Sequence, residues 1–232
     1  VGKSTIACNL AIALQKNGSK VALLDADIYG PSVPHLMGLH GEPDVKKGKM
    51  IPIISHGVKC ISAGSLMDKN AAGVWRGPMV TKIINQLING ANWNFDGYDV
   101  DVMIIDMPPG TGDVYLSLAE KFPLSGVAIV STPHSLSIID VVKSINCFKK
   151  LDIPILGLVQ NMSYLQMGNE KNYLFGKDGV KDLSKKMNID FLGEISIKQE
   201  MSNCTEDSEP FMIKYADSEL SEEFKQIAHL IK

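Results

Sequence analysis

The sequence predicts a single doubly wound α/β domain: one mainly parallel sheet with helices on both faces. Three observations carry this expectation. Short apolar runs recur along the whole chain, separated by stretches with helical spacing of apolar residues, the alternation that parallel sheets require. Two of those runs, Val21-Ala22-Leu23-Leu24 and Val102-Met103-Ile104-Ile105, are apolar throughout, as strands buried on both faces are, and each ends in an aspartate, Asp25 and Asp106. The 232 residues show no internal repeat, low-complexity tract or shift of composition, so residues 1–232 are expected to form one domain with a sizeable core.

In order, Ile6, Leu10, Ile12, Ala13 and Leu14 predict a helix with one apolar face that stops near Asn17-Gly18. The run ending at Asp25 is the first strand, and Tyr29-Gly30-Pro31-Ser32 turns into a short helix. The Gly-, Pro- and Lys-rich stretch from Gly38 to Gly57 reads as a solvated excursion outside the sheet, Lys46, Lys47 and Lys49 included. Gly57–Ser62 is a strand; Met79–Leu87 is a helix with Ile83, Ile84 and Leu87 on one face. After the strand ending at Asp106, Gly126–Thr132 and Pro154–Asn161 are strands flanking a helix from Leu136 to Lys150. Tyr164–Gly179 reads as a polar loop, followed by a helix near Lys181–Met187, a strand near Ile189–Leu192 and a closing amphipathic helix, Glu219–Ile231.

Composition narrows the chemistry. A net charge of −3 leaves no electrostatic footprint for nucleic acid, and no apolar run approaches a membrane span. The closing helix carries acids on its polar face, which argues against anionic lipid. Cys8, Cys60, Cys147 and Cys204 form no C-x-x-C pair. The first three read as small buried apolar side chains; Cys204, among Ser202, Asn203, Thr205 and Glu206, reads as accessible.

The chemistry sits at the strand ends and at the opening Val1-Gly2-Lys3-Ser4-Thr5. Gly-Lys-Ser-Thr before an apolar helix is the second half of a P-loop. Glycine lets backbone N–H groups approach phosphate oxygens at a helix N-terminus, lysine places a point charge on the outer phosphates, and the serine hydroxyl ligates Mg²⁺. The full motif wants another glycine upstream, so the loop is expected to be cut at its front. An ordinary helix start shows the same four residues; what separates the readings is Asp106, a strand-end carboxylate of the kind that holds magnesium's water shell. Gly110, in Pro108-Pro109-Gly110-Thr111-Gly112-Asp113, is placed to sense a γ-phosphate. Asn161 offers a donor and an acceptor, as an adenine edge requires, although a turn-forming Asn has the same look.

Five stretches, Val1–Thr5, Leu24–Ser32, Trp75–Met79, Ile105–Asp113 and Gln160–Ser163, resemble the Mrp-type ATPases. These are iron–sulfur cluster carriers of the deviant-Walker-A class of P-loop proteins. Ser131-Thr132-Pro133, Ile138-Ile139-Asp140 and Leu156–Asn161 look closest to the family's mitochondrial branch, which serves assembly of respiratory complex I. The resemblance implies that Gly2, Lys3, Ser4 and Thr5 hold the phosphates of ATP and that Ser4 and Asp106 hold Mg²⁺. It implies that Asp25 lies beside the metal, Asp27 orients the attacking water with Lys3 as the other catalytic group, Gly110 lies at the γ-phosphate and Asn161 faces adenine. It also implies a homodimer with nucleotides at its interface, a second loop lysine upstream of Val1, iron–sulfur apoproteins as clients, and the mitochondrial matrix, with the cytoplasm as the alternative. One departure stands out. The family's C-x-x-C after Asn-Met-Ser, which pools thiolates from two subunits around a bridging [4Fe–4S] cluster, is replaced by Tyr164-Leu165-Gln166-Met167-Gly168-Asn169-Glu170-Lys171. No iron ligand is identifiable. Loss of the bridging site and substitution by Cys204 or another ligand are the two explanations. The functional expectation is a weakly hydrolysing, ATP-dependent cluster carrier or assembly factor. The alternative is a nucleotide-gated interaction switch without a cluster.

Overall fold

The computed structural model describes residues 1–66, 77–109, 115, 118 and 121–232. The expected Trp75-Arg76 stretch, Gly110 and Thr111–Asp113 lie outside these residues.

Helix α1 (Lys3–Lys16) leads into strand β1 (Val21–Asp25), then short helix α2 (Val33–Leu36). Two hairpins follow, β2 (Val45–Lys46) with β3 (Lys49–Met50) and β4 (Ile53–Ser55) with β5 (Val58–Ser62). After α3 (Gly77–Asn89) come β6 (Val102–Asp106), β7 (Val127–Ser131), α4 (Ser135–Lys150) and β8 (Ile155–Gln160). A third hairpin, β9 (Leu165–Met167) and β10 (Glu170–Asn172), precedes α5 (Gly179–Met187) and β11 (Phe191–Glu194). The chain closes with α6 (Gln199–Glu206), α7 (Phe211–Lys214) and α8 (Glu219–Leu230).

The strands form a four-stranded sheet, β4-β5-β1-β6, and a three-stranded one, β11-β8-β7. All pairings in them are parallel except β4 with β5. Among the described residues, no strand pairs with the second edge of β6 or of β7. Alternation along β1 shows why both faces carry helices: Val21 and Leu23 join the core cluster of α1, whereas Leu24 packs into the cluster of α3. In the second sheet Val159 turns to the α1 cluster and Leu158 to α4 and α5. One cluster thus contains α1, α8 and residues of both sheets.

That position corrects the expected one-faced α1. Ile6 and every residue from Cys8 to Leu14 are buried, because the helix packs on the first sheet and α8 and shares one core cluster with Val159 and Leu192 of the second sheet. Asn9 is buried with them and is satisfied: its amide donates to the Thr5 carbonyl (2.9 Å), and its oxygen accepts from the Met212 N–H (2.9 Å), fastening α7. The excursion after α2 is exposed at Lys46, Lys47 and Lys49, as expected, but is ordered as a hairpin. The expected polar loop after Tyr164 contains the β9–β10 hairpin, and the strand placed at Ile189–Leu192 runs Phe191–Glu194. Cys204 is buried (3% exposed), not accessible: it is the one buried residue of α6 and packs into the α1 cluster. Cys147 is half-buried on α4, whereas Cys8 and Cys60 are buried as expected.

Candidate functional site

The site lies at the C-terminal ends of β1 and β6, where parallel sheets place their ligands. The two strands pair in a register that sets Asp25 directly beside Asp106. Both are buried, at 0% and 3% exposure. Two adjacent carboxylates in low dielectric disfavour each other's charge. Burial raises Asp25 to about 7, despite hydrogen bonds that hold it down, and Asp106 adds to the rise. Those bonds come from the Ser62 hydroxyl (2.9 Å) and Val33 N–H (3.3 Å) onto Oδ2, and from Asp27 N–H (3.1 Å) onto Oδ1. Asp27 in turn accepts the N–H groups of Tyr29 and Gly30 at 3.1 and 3.2 Å, which fixes its carboxylate over the turn.

Asp106 is less well served. Burial raises it too, opposed by a hydrogen bond from Ser4 and by the charge of Lys3, with Asp27 as a further anion nearby. Its Oδ2 is fully buried with no hydrogen-bond partner. An orphaned buried carboxylate oxygen is costly, and a cation is the natural complement. The opening of the chain, from far away in sequence, therefore meets a mid-chain carboxylate.

Helix α1 offers the complementary half. Its N-terminus has no side-chain cap, and the first N–H to turn back is that of Ile6, onto the Gly2 carbonyl (3.1 Å). Amide donors of Lys3, Ser4 and Thr5 thus stand at the positive end of a 14-residue helix. Gly2 is in the left-handed region (φ 77°), and a Cβ there would lie 2.5 Å from Asn161 Nδ2. The uncapped N–H groups and the orphaned Asp106 oxygen fit a Mg²⁺–polyphosphate.

Asn161 occupies a place that sequence reading did not anticipate. Its amide donates to the Val1 carbonyl (2.8 Å) and its backbone N–H to Ser131 (2.7 Å), so it clamps the phosphate loop onto the end of β8. Two further contributors were missed. Ser62 at the end of β5 supplies the hydroxyl on Asp25. Tyr115 donates to the Pro108 carbonyl, and burial together with the charges of Asp106 and Asp27 pushes its phenol up to about 12. Neither lies in a recognisable motif; position at a strand end was the available signal for Ser62.

No cluster of three or more metal-ligating side chains occurs among the described residues. Cys8 and Cys204 line one small cavity of about 10 Å³. That is room for a water at most. Burial first, then the charge of Asp106, raises the Cys8 thiol, and burial lifts Cys60 to about 12. Both are inert thiols.

The profile of a family described as "ParA: NUBPL iron-transfer P-loop NTPase" matches residues 1–232. The chain is 40% identical over 233 residues to the "Iron-sulfur cluster transfer protein NUBPL" of Dictyostelium discoideum, covering 98% of this chain and 71% of that one. It is 40% identical over 232 residues to the "Iron-sulfur protein required for NADH dehydrogenase, mitochondrial" of Arabidopsis thaliana, covering 98% and 73%. It is 38% identical to the "Iron-sulfur cluster carrier protein" of Aquifex aeolicus, covering 100% of this chain and 64% of the relative. Among solved structures, the nucleotide-binding protein of Archaeoglobus fulgidus, in complex with ADP, superposes with a TM-score of 0.79 at 31% identity, covering 96% of this chain and 86% of that one. The cell-division ATPase MinD of Pyrococcus furiosus, at 20% identity and a TM-score of 0.74 over 99% and 92%, shares the fold. Matched along its whole length, the chain belongs to the NUBPL iron-transfer family of P-loop NTPases.

Proposed function

We propose that the chain binds ATP with Mg²⁺ and uses its nucleotide state to drive iron–sulfur cluster transfer to apoproteins, with respiratory complex I among them. The observation that carries this reading is the meeting of Lys3 and Ser4 with Asp106 at one buried rung. The names of the relatives, a cluster transfer protein, a carrier and a protein required for mitochondrial NADH dehydrogenase, support the cargo and the mitochondrial matrix.

In this reading Gly2, Lys3, Ser4 and Thr5 cradle the phosphates with backbone N–H groups and the lysine ammonium. The Ser4 hydroxyl and the Asp106 carboxylate hold Mg²⁺, and Asp25 adds negative charge beside it. The metal supplies charge neutralisation across the outer phosphates. Asp27, fixed by the N–H groups of Tyr29 and Gly30, orients the water for attack on the γ-phosphorus, and Lys3 stabilises the charge that develops. Gly110 is assigned to the γ-phosphate. Asn161 holds the front of the loop through Val1 and offers its remaining polar valence to adenine.

The same end of the sheet supports a homodimer. Tyr29, Met79, Leu136 and Ile139 are large apolar side chains, 49–67% exposed, in segments that follow strands or open helices around the site. A second copy would cover them. Titrating the full-length protein with ATP, with and without Mg²⁺, tests the reading: affinity that rises with Mg²⁺ is expected, and failure to bind ATP would overturn it.

A further inference from the structure

The segment after the Asn161 clamp closes on itself. Met167 and Glu170 face each other across a two-residue turn, Gly168-Asn169, as the pair that ends the β9–β10 ladder. Gly168 has φ 59° with open space around its missing Cβ, so the turn is made by the residue type such hairpins need. Facing partners of this kind hold their Cβ atoms roughly 4.5–5.5 Å apart on one side of the ribbon. Two side chains at i and i+3 so disposed could approach a common centre. Met167 is 58% exposed, and Glu170 is exposed beside it.

The donors are wrong for iron–sulfur chemistry. Clusters are held by soft thiolates; a thioether is neutral and weak, and a carboxylate is hard. The Met167 sulfur also has a use within the ribbon, accepting a hydrogen bond from the Asn172 amide at 3.6 Å. The rest of the hairpin is likewise occupied. Gln166 donates to the Gly168 carbonyl (2.7 Å), and Lys171 lies 3.8 Å from the centre of the Tyr164 ring and 4.0 Å from Glu194. No cysteine compensates. Cys8, Cys60 and Cys204 are buried in one core cluster, and Cys147 stands by itself, half-buried on α4.

We infer that the β9–β10 hairpin keeps the shape of a paired-ligand site with donors that cannot hold a [4Fe–4S] cluster, so that this chain acts in cluster transfer without ligating the iron itself. The inference deepens the transfer reading and rests on it for the identity of the cargo. Its consequence is that the iron remains on ligands of the proteins between which the chain acts.

The test is anaerobic reconstitution of the full-length protein with ferrous iron and sulfide, followed by desalting, iron and sulfide analysis and a visible spectrum. The wild type is expected to retain substoichiometric iron and no broad thiolate-to-iron absorption. The double variant Met167→Cys/Glu170→Cys, which places two thiols on the facing positions, is expected to gain a stoichiometric cluster shared by two chains. A stoichiometric cluster on the wild type would overturn the inference, and a well-folded double variant that stays colourless would overturn its claim about the hairpin's shape. ATP titration of the same samples separates the two levels. Both proteins are expected to bind ATP equally; loss of ATP binding in the wild type would sink the nucleotide reading, not the assignment of the hairpin.

Discussion

The rung of Asp25 and Asp106 and the β9–β10 hairpin are opposites. At the first, two buried carboxylates lie side by side, one with an oxygen that nothing satisfies, facing a lysine, a serine and an uncapped helix end. At the second, exposed side chains are satisfied by the ribbon and its neighbours, Gln166 by the Gly168 carbonyl, Asn172 by the Met167 sulfur and Lys171 by the Tyr164 ring. Unfinished electrostatics in a dry place demand a charged partner, because an isolated buried charge costs more than a fold of this size spares. Finished electrostatics in a wet place demand none. The contrast supports the proposal that the ligand chemistry of the chain sits at the ends of β1 and β6.

The largest effect that would sharpen this contrast is on Lys3. Lys3→Ala should weaken ATP binding by roughly a hundredfold, about 2.8 kcal/mol, measured by calorimetry, whereas Met167→Ala in the hairpin should leave it unchanged. Equal effects at the two places would break the contrast. Next comes stability without nucleotide. Asp106→Asn removes the charge that the orphaned oxygen carries and should raise resistance to urea by about 1–3 kcal/mol. A destabilised variant would mean that the carboxylate is satisfied by the fold. A smaller effect is expected at the loop clamp. Gly2→Ala places a Cβ 2.5 Å from the Asn161 amide and should cost about tenfold in ATP affinity. Asn161→Ala, which removes the clamp itself, should cost less affinity in the Gly2→Ala background than in the wild type; full additivity would show that the positive φ of Gly2, and not the contact, is what matters.

The smallest effect lies away from both regions. Glu223 on α8 also has a carboxylate oxygen without a partner, and burial, with Glu219 and Glu194 nearby, raises it to about 7. A carboxylate raised in the folded state binds its proton more tightly there than in the unfolded chain, so stability falls as pH rises from the unfolded value near 4.5 to about 7. Glu223→Gln should therefore match the wild type below that window and exceed it above, by less than about 1 kcal/mol because the group is partly solvated. Urea melts at pH 4.5 and pH 8 check the sign; a gain at the acid end would contradict it.

How much of this was legible in the sequence follows from range and burial. Asp25 and Asp106 were readable because each ends an all-apolar run, and strand ends share one edge of a parallel sheet. Asn161 was readable as a strand-end amide, but its bond to Val1 joins residues 160 positions apart, which no local pattern encodes. The β9–β10 hairpin was read as loop because its residues are nearly all exposed, leaving no apolar alternation to detect. Cys204 was misread because its neighbours in sequence are polar; the short helix buries this one residue fully and leaves Ser202, Asn203 and Glu206 exposed. Helix α1 was under-read for the opposite reason, since a helix that shares one core cluster with two sheets is buried on more faces than one.

The central claim is that the start of the chain and Asp106 grip the same Mg²⁺–triphosphate. The most direct measurement is ATP affinity across a Mg²⁺ titration for wild type and Asp106→Asn. The wild type should tighten as Mg²⁺ is added and the variant should not respond; a variant that tightens as the wild type does would place the metal elsewhere and contradict the account.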